Sequence, residues 1–405
     1  MPHFGQEPIK ADVLTGPFDP GGQPNTRSGQ PLELGFFAWN IQGGATASKA
    51  VLTDPERYQT YWQWPIASRL VLEAERIGFD YQVPFARWIG QGGETQWNDA
   101  LLESLTSAAA VSSITSRMAL FSTAHTNFGF HPLHFAKFGA TIDHISGGRW
   151  GLNLVSGYSA KEFAAFGNLE PLDHDIGYAR ADEFATLIKW LWTSDRPVVF
   201  EGEHYQAYGA YVNPQPTRKP RPILMQAGQS DTGIDFACRH VDWIFCIQPT
   251  IEEYRAMAER VHGTAAKYGR EVRVATQVYP IMAKTDQEAR AIADWVSEAV
   301  DRSATMNFIE SAKRQSVSKT FGWGEAESES DDPWGGIGKD RFLRMAMGIG
   351  AHQMIGSYET VAEEIRALHE AGVESCLMSF FEPLRGLHQM EDDVIPLLKK
   401  MGLRT

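Results

Sequence analysis

Four residues at the ends of two apolar runs are the plainest candidates for chemistry in this chain. Thr123 and His125 stand near the end of Met118–Thr126, Asn153 sits inside Trp150–Val155, and Tyr158 follows the Ser156-Gly157 turn. A side-chain amide on a buried strand must be hydrogen-bonded or cost about 1–3 kcal/mol, so Asn153 needs a reason. A hydroxyl and an amide at the pocket end of neighbouring strands can hold a developing oxygen anion without offering a metal ligand. The plainer alternatives are a β-branched strand residue at 123 and a satisfied core amide at 153.

A second cluster suits an anion. Gly228-Gln-Ser-Asp231 closes one apolar run and opens a helical one, which puts Ser230 near a helix N-cap, where free N–H groups and the helix dipole favour negative charge. An ordinary cap is the other reading. Aromatic and amide residues at strand ends, Trp39, Asn40, Trp88, Phe128, Phe130 and Tyr158, suggest a pocket suited to a planar ring, with His125 at its mouth, although aromatic strand ends are also common core. His125, His131 and His134 lack H-x-H or H-E-x-x-H spacing, so no metal is expected. No G-x-S-x-G elbow is present for serine-hydrolase chemistry, and Asp173/Asp175 lie in a polar loop.

Positioning such residues takes alternating strands and helices. Strand-length apolar runs occur at Leu34–Trp39, Phe79–Phe85, Met118–Thr126, Trp150–Val155, Pro222–Gly228, Trp243–Gln248, Val272–Ala283 and Ser375–Phe381. Helix-period segments separate them, among them Asn98–Ser113, Pro132–Ile145, Tyr178–Leu191 and Tyr358–Ala371. This alternation predicts a parallel sheet, and eight units predict a closed (β/α)8 TIM barrel of the α/β class. Trp39-Asn-Ile-Gln-Gly-Gly44 lacks G-x-G-x-x-G spacing, so a dinucleotide fold is disfavoured. We read residues 1–30 as an N-terminal extension and 31–405 as the barrel. Two insertions interrupt it: a hairpin near 197–222, and a Gly-rich, acidic segment at 311–340 whose composition predicts a mobile lid.

The run from Ala140 to Gly157, with the pattern ATIDxxSGGRxGxNxVxG and then Glu162, resembles the bacterial-luciferase-like flavin monooxygenases, in particular their pyrimidine (uracil) and alkanesulfonate/dimethylsulfone monooxygenase group. Leu102-Glu-Ser104, Ala227–Asp231 and Gly356-Ser-Tyr358 match further landmarks, so the resemblance covers roughly residues 32 to 400. It implies a two-component enzyme using reduced FMN and O2, with FMNH2 supplied by a separate NAD(P)H-dependent flavin reductase. The oxygenated substrate would be a small heterocycle, amide or organosulfur compound, reached through a flavin peroxide at N5 or C4a. Thr123 and Asn153 match positions beside the flavin ring where oxygen reacts. Ala86 and Arg87 match a pair touching the flavin, and Glu162 a glutamate of the cofactor site. Ser230 and Tyr178 match phosphate-side positions. Relatives read Arg-Tyr where this chain has Gly177-Tyr178, which predicts loose FMN binding unless Arg180 compensates. The alternatives are an F420-dependent hydride-transfer enzyme of the same fold and a non-catalytic flavin-binding protein.

Composition narrows the partners. The 405 residues are 43% hydrophobic and 21% charged with a net charge of −13, which disfavours nucleic acid because phosphate neutralisation needs clustered Lys and Arg. No apolar run approaches a membrane span, and residues 1–30 show no secretory signal. A cytoplasmic location is therefore expected, and separately a homodimer or homotetramer. Cys238, Cys246 and Cys376 lack C-x-x-C spacing, so buried free thiols are expected rather than a disulfide framework.

Overall fold

The computed structural model describes residues 6–12, 14, 16–53, 61–157, 159–168, 172–313 and 337–405, with the side chains of 312 and 313 excepted. Among the described residues twelve strands, numbered in chain order, form two sheets. Eight of them close a ring: β2 (Glu33–Phe37), β3 (Tyr81–Val83), β4 (Ala119–His125), β5 (Trp150–Val155), β8 (Ile223–Gln226), β9 (Trp243–Phe245), β10 (Arg273–Ala283) and β12 (Ser375–Met378). The β9–β10 pairing completes the circle. All neighbours in the ring are parallel, as right-handed crossovers through helices require. The expected TIM barrel is therefore the observed one.

Strand alternation decides what each residue faces. On β4 and β5, Leu120, Ala124, Trp150, Leu152 and Leu154 join the outer core shared with the surrounding helices, while Phe121 joins Tyr81, Val83, Ile223, Met225, Trp243, Ala275 and Leu377 inside the barrel. Large and small residues interlock there. A Cβ on Gly35 would lie 2.3 Å from the Tyr81 ring, so the glycine on β2 makes room for the tyrosine on β3. A third apolar cluster, including Ala38, Phe85, Trp97, Tyr279, Phe308 and Met347, roofs part of the C-terminal end.

The Gly-Gly-Arg motif is an anchor. Gly147 ends the helix Pro132–Ser146 in a left-handed conformation, φ 68°, and Arg149 then donates to the carbonyls of Ser112, Thr115, Met118 and Ser146. That network ties the start of β5 to the loop before β4 and fixes their relative register, which pairs Thr123 with Asn153.

The segment after Asn98 differs from the reading given above. Gln96 and Asn98 have positive φ, and the helix begins only at Ser104, where the Glu103 carboxylate caps the N–H groups of Leu105 and Thr106. A strand, β11 (His352–Ser357), lies outside the ring and pairs with the outer half of β10; its mixed polar sequence, HQMIGS, lacks an apolar signature. The second sheet joins β1 (Ile9–Ala11) to the hairpin β6 (Val198–Glu201) and β7 (Gln206–Ala210). Most of the acidic segment expected as a lid, 314–336, lies outside the described residues.

Candidate active site

The C-terminal ends of β4 and β5 hold Thr123 and Asn153 side by side, with the amide Nδ2 of Asn153 3.3 Å from Thr123 Oγ1. Asn153 is 8% exposed, and its Oδ1 is buried with no hydrogen-bond partner. An orphaned buried carbonyl is a cost of order 1–3 kcal/mol that packing alone would not retain. Because Thr123 Oγ1 accepts from the amide, its own proton is left for another acceptor. The pair can thus offer a donor and an acceptor to a group above the barrel.

His125 follows on the same face of β4. Burial, helped by the nearby Arg87 guanidinium, lowers its pKa to about 3, so its imidazole stays neutral. Its ring stacks on Phe128 at 4.8 Å, and Phe128 stacks in turn on Phe166. Arg87 is buried, with its guanidinium carbon 5.4 Å from the Phe85 ring centre and 5.6 Å from that of Phe308. Ala86 beside it is half-buried. Glu162 is enclosed, and its carboxylate accepts the N–H groups of Trp88 at 2.5 Å and Ile89 at 3.4 Å. Its observed contacts therefore hold the loop that carries Ala86 and Arg87.

Trp39 is placed differently from the pocket position expected above. It is fully enclosed in the outer core, and its indole N–H donates to Gln82 Oε1 at 2.7 Å. Asn40 next to it bridges two loops, donating to Phe85 O and Leu102 O and accepting from Phe85 N. Both are braces. Tyr158 lies outside the described residues.

The candidate anion site is built after β8, the strand next to β5. Ser230 is the N-cap of the helix Asp231–His240; its Oγ accepts from Gly233 N at 3.0 Å and lies 3.3 Å from His174 Nε2. Gly177 and Tyr178 stand on the long helix His174–Thr193. The phenol of Tyr178, its pKa raised by burial, accepts from Gln226 Nε2 at 3.4 Å. A Cβ on Gly228 or Gly233 would lie 2.6 Å from the Tyr178 hydroxyl, so the two glycines let that hydroxyl approach the backbone at the helix N-terminus. Arg180, the residue that could stand in for the missing arginine, donates from Nε to Tyr205 OH at 3.0 Å, and its guanidinium lies over that ring.

The residues present suit a flavin phosphate at one end and a reactive ring at the other. Thr123 pairs with Asn153 across β4 and β5, and Asn153 with Met225 across β5 and β8, so one strand spacing, about 5 Å, separates Asn153 from the strand leading to Ser230, and two separate Thr123 from it. Sequence reasoning missed three polar groups here. Gln226, Asn127 and Ser379 are buried, with Gln226 Oε1, Asn127 Oδ1 and Ser379 Oγ unpartnered; single amides and hydroxyls carry no spacing signal. Among the described residues no three His, Cys, Asp or Glu side chains gather as a metal site, and the three cysteines are free and buried.

The profile of the luciferase-like monooxygenases matches residues 39–375. The chain belongs to that family. It is a flavin-dependent monooxygenase by that membership. The FMNH(2)-dependent dimethylsulfone monooxygenase of Pseudomonas putida is 29% identical over 374 residues, spanning 92% of this chain and 96% of the relative. Pyrimidine monooxygenase RutA of Variovorax paradoxus is 30% identical over 342 residues, spanning 82% and 86%. The crystal structure of the long-chain alkane monooxygenase LadA superposes with a TM-score of 0.78 at 20% identity, covering 93% of both chains. In this luciferase-like monooxygenase no helix among the described residues is long and apolar enough to cross a membrane.

Proposed function

We propose that this chain inserts one atom of O2 into a small organic substrate, a heterocycle, an amide or an organosulfur compound, using reduced FMN delivered by a separate NAD(P)H-dependent flavin reductase. The observation that carries the reading is the Thr123–Asn153 pair, with an orphaned amide oxygen at the open end of the barrel. The dimethylsulfone and pyrimidine enzymes named above supply the substrate classes. Reduced FMN supplies the electrons that activate oxygen. The Thr123 hydroxyl, aimed by the bond it accepts from Asn153 Nδ2, donates to developing negative charge on oxygen, where a preorganised donor in a dry site acts most strongly. Phe128, Phe166 and the roof around Phe85 and Phe308 exclude water. His125, held neutral, can donate or accept a single hydrogen bond to substrate without adding charge. Ser230, Tyr178 and the helix N-terminus hold the phosphate.

The test supplies FMNH2 from a reductase, 18O2 and a panel of sulfones, sulfonates, pyrimidines and amides, and follows label into product. Substrate-dependent incorporation of one labelled atom is expected. No incorporation with any class, while FMN still binds, would leave a flavin-binding protein; turnover without oxygen on reduced F420 would make it a hydride-transfer enzyme.

A further inference from the structure

The interior core of the barrel, which includes Val83, Phe121, Met225, Trp243, Ala275 and Leu377, stops one inward position short of the open end. On β2 and β5 the last core position is a glycine, Gly35 against the Tyr81 ring and Gly151 against that of Phe121. Strand alternation places the next inward side chain two residues further on. Those positions are Phe37, Phe85, Ala227 and Phe245, which are apolar, and Thr123, Asn153, Gln277 and Ser379, which are polar but uncharged. None of these is ionisable, so the floor of the mouth is neutral. Arg87 lies in the roof with its guanidinium over the Phe85 and Phe308 rings, and the buried His125 ring is also uncharged.

The polar members form two facing pairs. Round the ring, β12 is the fourth strand from β5 in either direction, and β10 is the fourth from β4, so Gln277 and Ser379 stand across the mouth from Thr123 and Asn153. Ser379 N donates to Val278 O at 3.2 Å, which extends the β10–β12 ladder past Met378 and keeps the serine side chain inward. Ser379 is 1% exposed, yet its Oγ has no hydrogen-bond partner. Beside it, Gln277 commits Nε2 to Gly348 O at 3.0 Å. An enclosed hydroxyl without a partner is a cost that a ligand oxygen would remove. A sulfonate or carboxylate brought onto this floor would lose its hydration against uncharged groups, whereas a sulfone or carbonyl oxygen asks for a single donor.

We propose that Ser379 is a specificity-determining residue of the oxygenation: its hydroxyl donates to an oxygen of an uncharged substrate, a sulfone or a carbonyl compound, and holds that substrate across the mouth from Thr123 and Asn153. This rests on the monooxygenase reading above and narrows its substrate to neutral molecules. Anchoring one polar oxygen at Ser379 turns the rest of the substrate toward the pair where oxygen is activated, which is how a single well-placed hydrogen bond fixes orientation in a largely apolar pocket.

The test supplies FMNH2 from a reductase and 18O2, and offers substrates in neutral and anionic pairs: dimethyl sulfone with methanesulfonate, uracil with orotate, and acetamide with acetate. Wild type, Ser379→Ala and Ser379→Cys are compared, with FMN titration and thermal melting alongside. Wild type is expected to oxygenate the neutral member of at least one pair in preference to its anion. On that substrate KM should rise about 10-fold or more in the alanine variant and less in the cysteine variant, which keeps a weak donor. The fall in kcat should be smaller than the rise in KM, with FMN Kd and melting temperature retained. Preference for the anion, or an unchanged KM in both variants, overturns the proposal; so does a parallel rise in FMN Kd, which would put Ser379 against the flavin. Label in no product of any pair, although FMN binds, sinks the monooxygenase reading and this proposal together, and is seen in wild type before any variant is compared.

Discussion

The two ends of the barrel differ in the kind of polar group they bury. At the N-terminal end, charges brought inside are matched: Asp19 meets Lys189, Arg221 and Arg270, Asp242 meets Arg221 and Arg270, Arg273 meets Glu33, and Asp80 meets Arg404. At the C-terminal end, Asn153 Oδ1, Gln226 Oε1 and Ser379 Oγ are enclosed without partners. Matched buried charges hold the N-terminal extension and the strand starts in place, and removing one partner is costly. Unmatched groups cost stability and are kept where a ligand completes them. One end closes the fold; the other is prepared for chemistry.

The largest expected effect lies at the matched end. Asp19→Ala leaves Lys189, Arg221 and Arg270 short of a counter-charge and should destabilise the fold by about 3–5 kcal/mol, read from urea denaturation. FMN affinity should stay the same, and a change in flavin binding with no loss of stability would break the division between the two ends. Next comes the open end. Thr123→Ala and Asn153→Ala should each lower oxygenated product per FMNH2 consumed by roughly 10²–10³, with hydrogen peroxide released instead, while FMN affinity and melting temperature are retained. Unchanged coupling in both variants would falsify their placement beside the reacting oxygen.

Ser230→Ala should weaken FMN binding by about 1–2 kcal/mol and, because the cap is lost too, lower stability by about 1 kcal/mol. Titration and thermal melting separate the two effects, and a loss of stability alone reduces Ser230 to a cap.

The smallest effect is a slope in pH. Burial, reinforced by Arg221, lowers the pKa of Lys189 from its ordinary 10.5 to about 7. Between those values the unfolded chain binds the proton and the native one does not, so this residue makes stability rise with pH across the window. Lys189→Met should flatten that rise. Asp19 acts at the other extreme: burial works against its ionised form, but Lys189, Arg221 and Arg270 prevail and hold its pKa at about 2. Its contribution is complete above the ordinary carboxylate value and fades as pH falls toward 2, and a stability curve insensitive to Asp19→Ala in acid would contradict the pairing.

Legibility followed the range of the interaction. The eight ring strands were readable because their apolar runs reflect burial on both faces, a local property. β11 was not, since its pairing with β10 rests on backbone hydrogen bonds to a strand about 74 residues away (Met282 to Gly356) and asks little of its side chains. Asn153 and Ser230 stood out by type and context. Trp39 was misplaced because an aromatic residue at a strand end suits a pocket or a core equally, and its bond to Gln82 decides between them only in three dimensions.

What the chain determined by itself was the alternation of strand and helix, the Gly147-Gly148 turn and the presence of a hydroxyl, an amide and a capping serine at strand ends. These follow from residue type and near-neighbour spacing. Barrel closure decided the rest. It set Thr123 against Asn153, left the amide oxygen without a partner, brought His174 to Ser230 across 56 residues and Asp19 to Arg221 across 202. Such contacts depend on which way each strand faces once the ring is shut, and no local pattern encodes that.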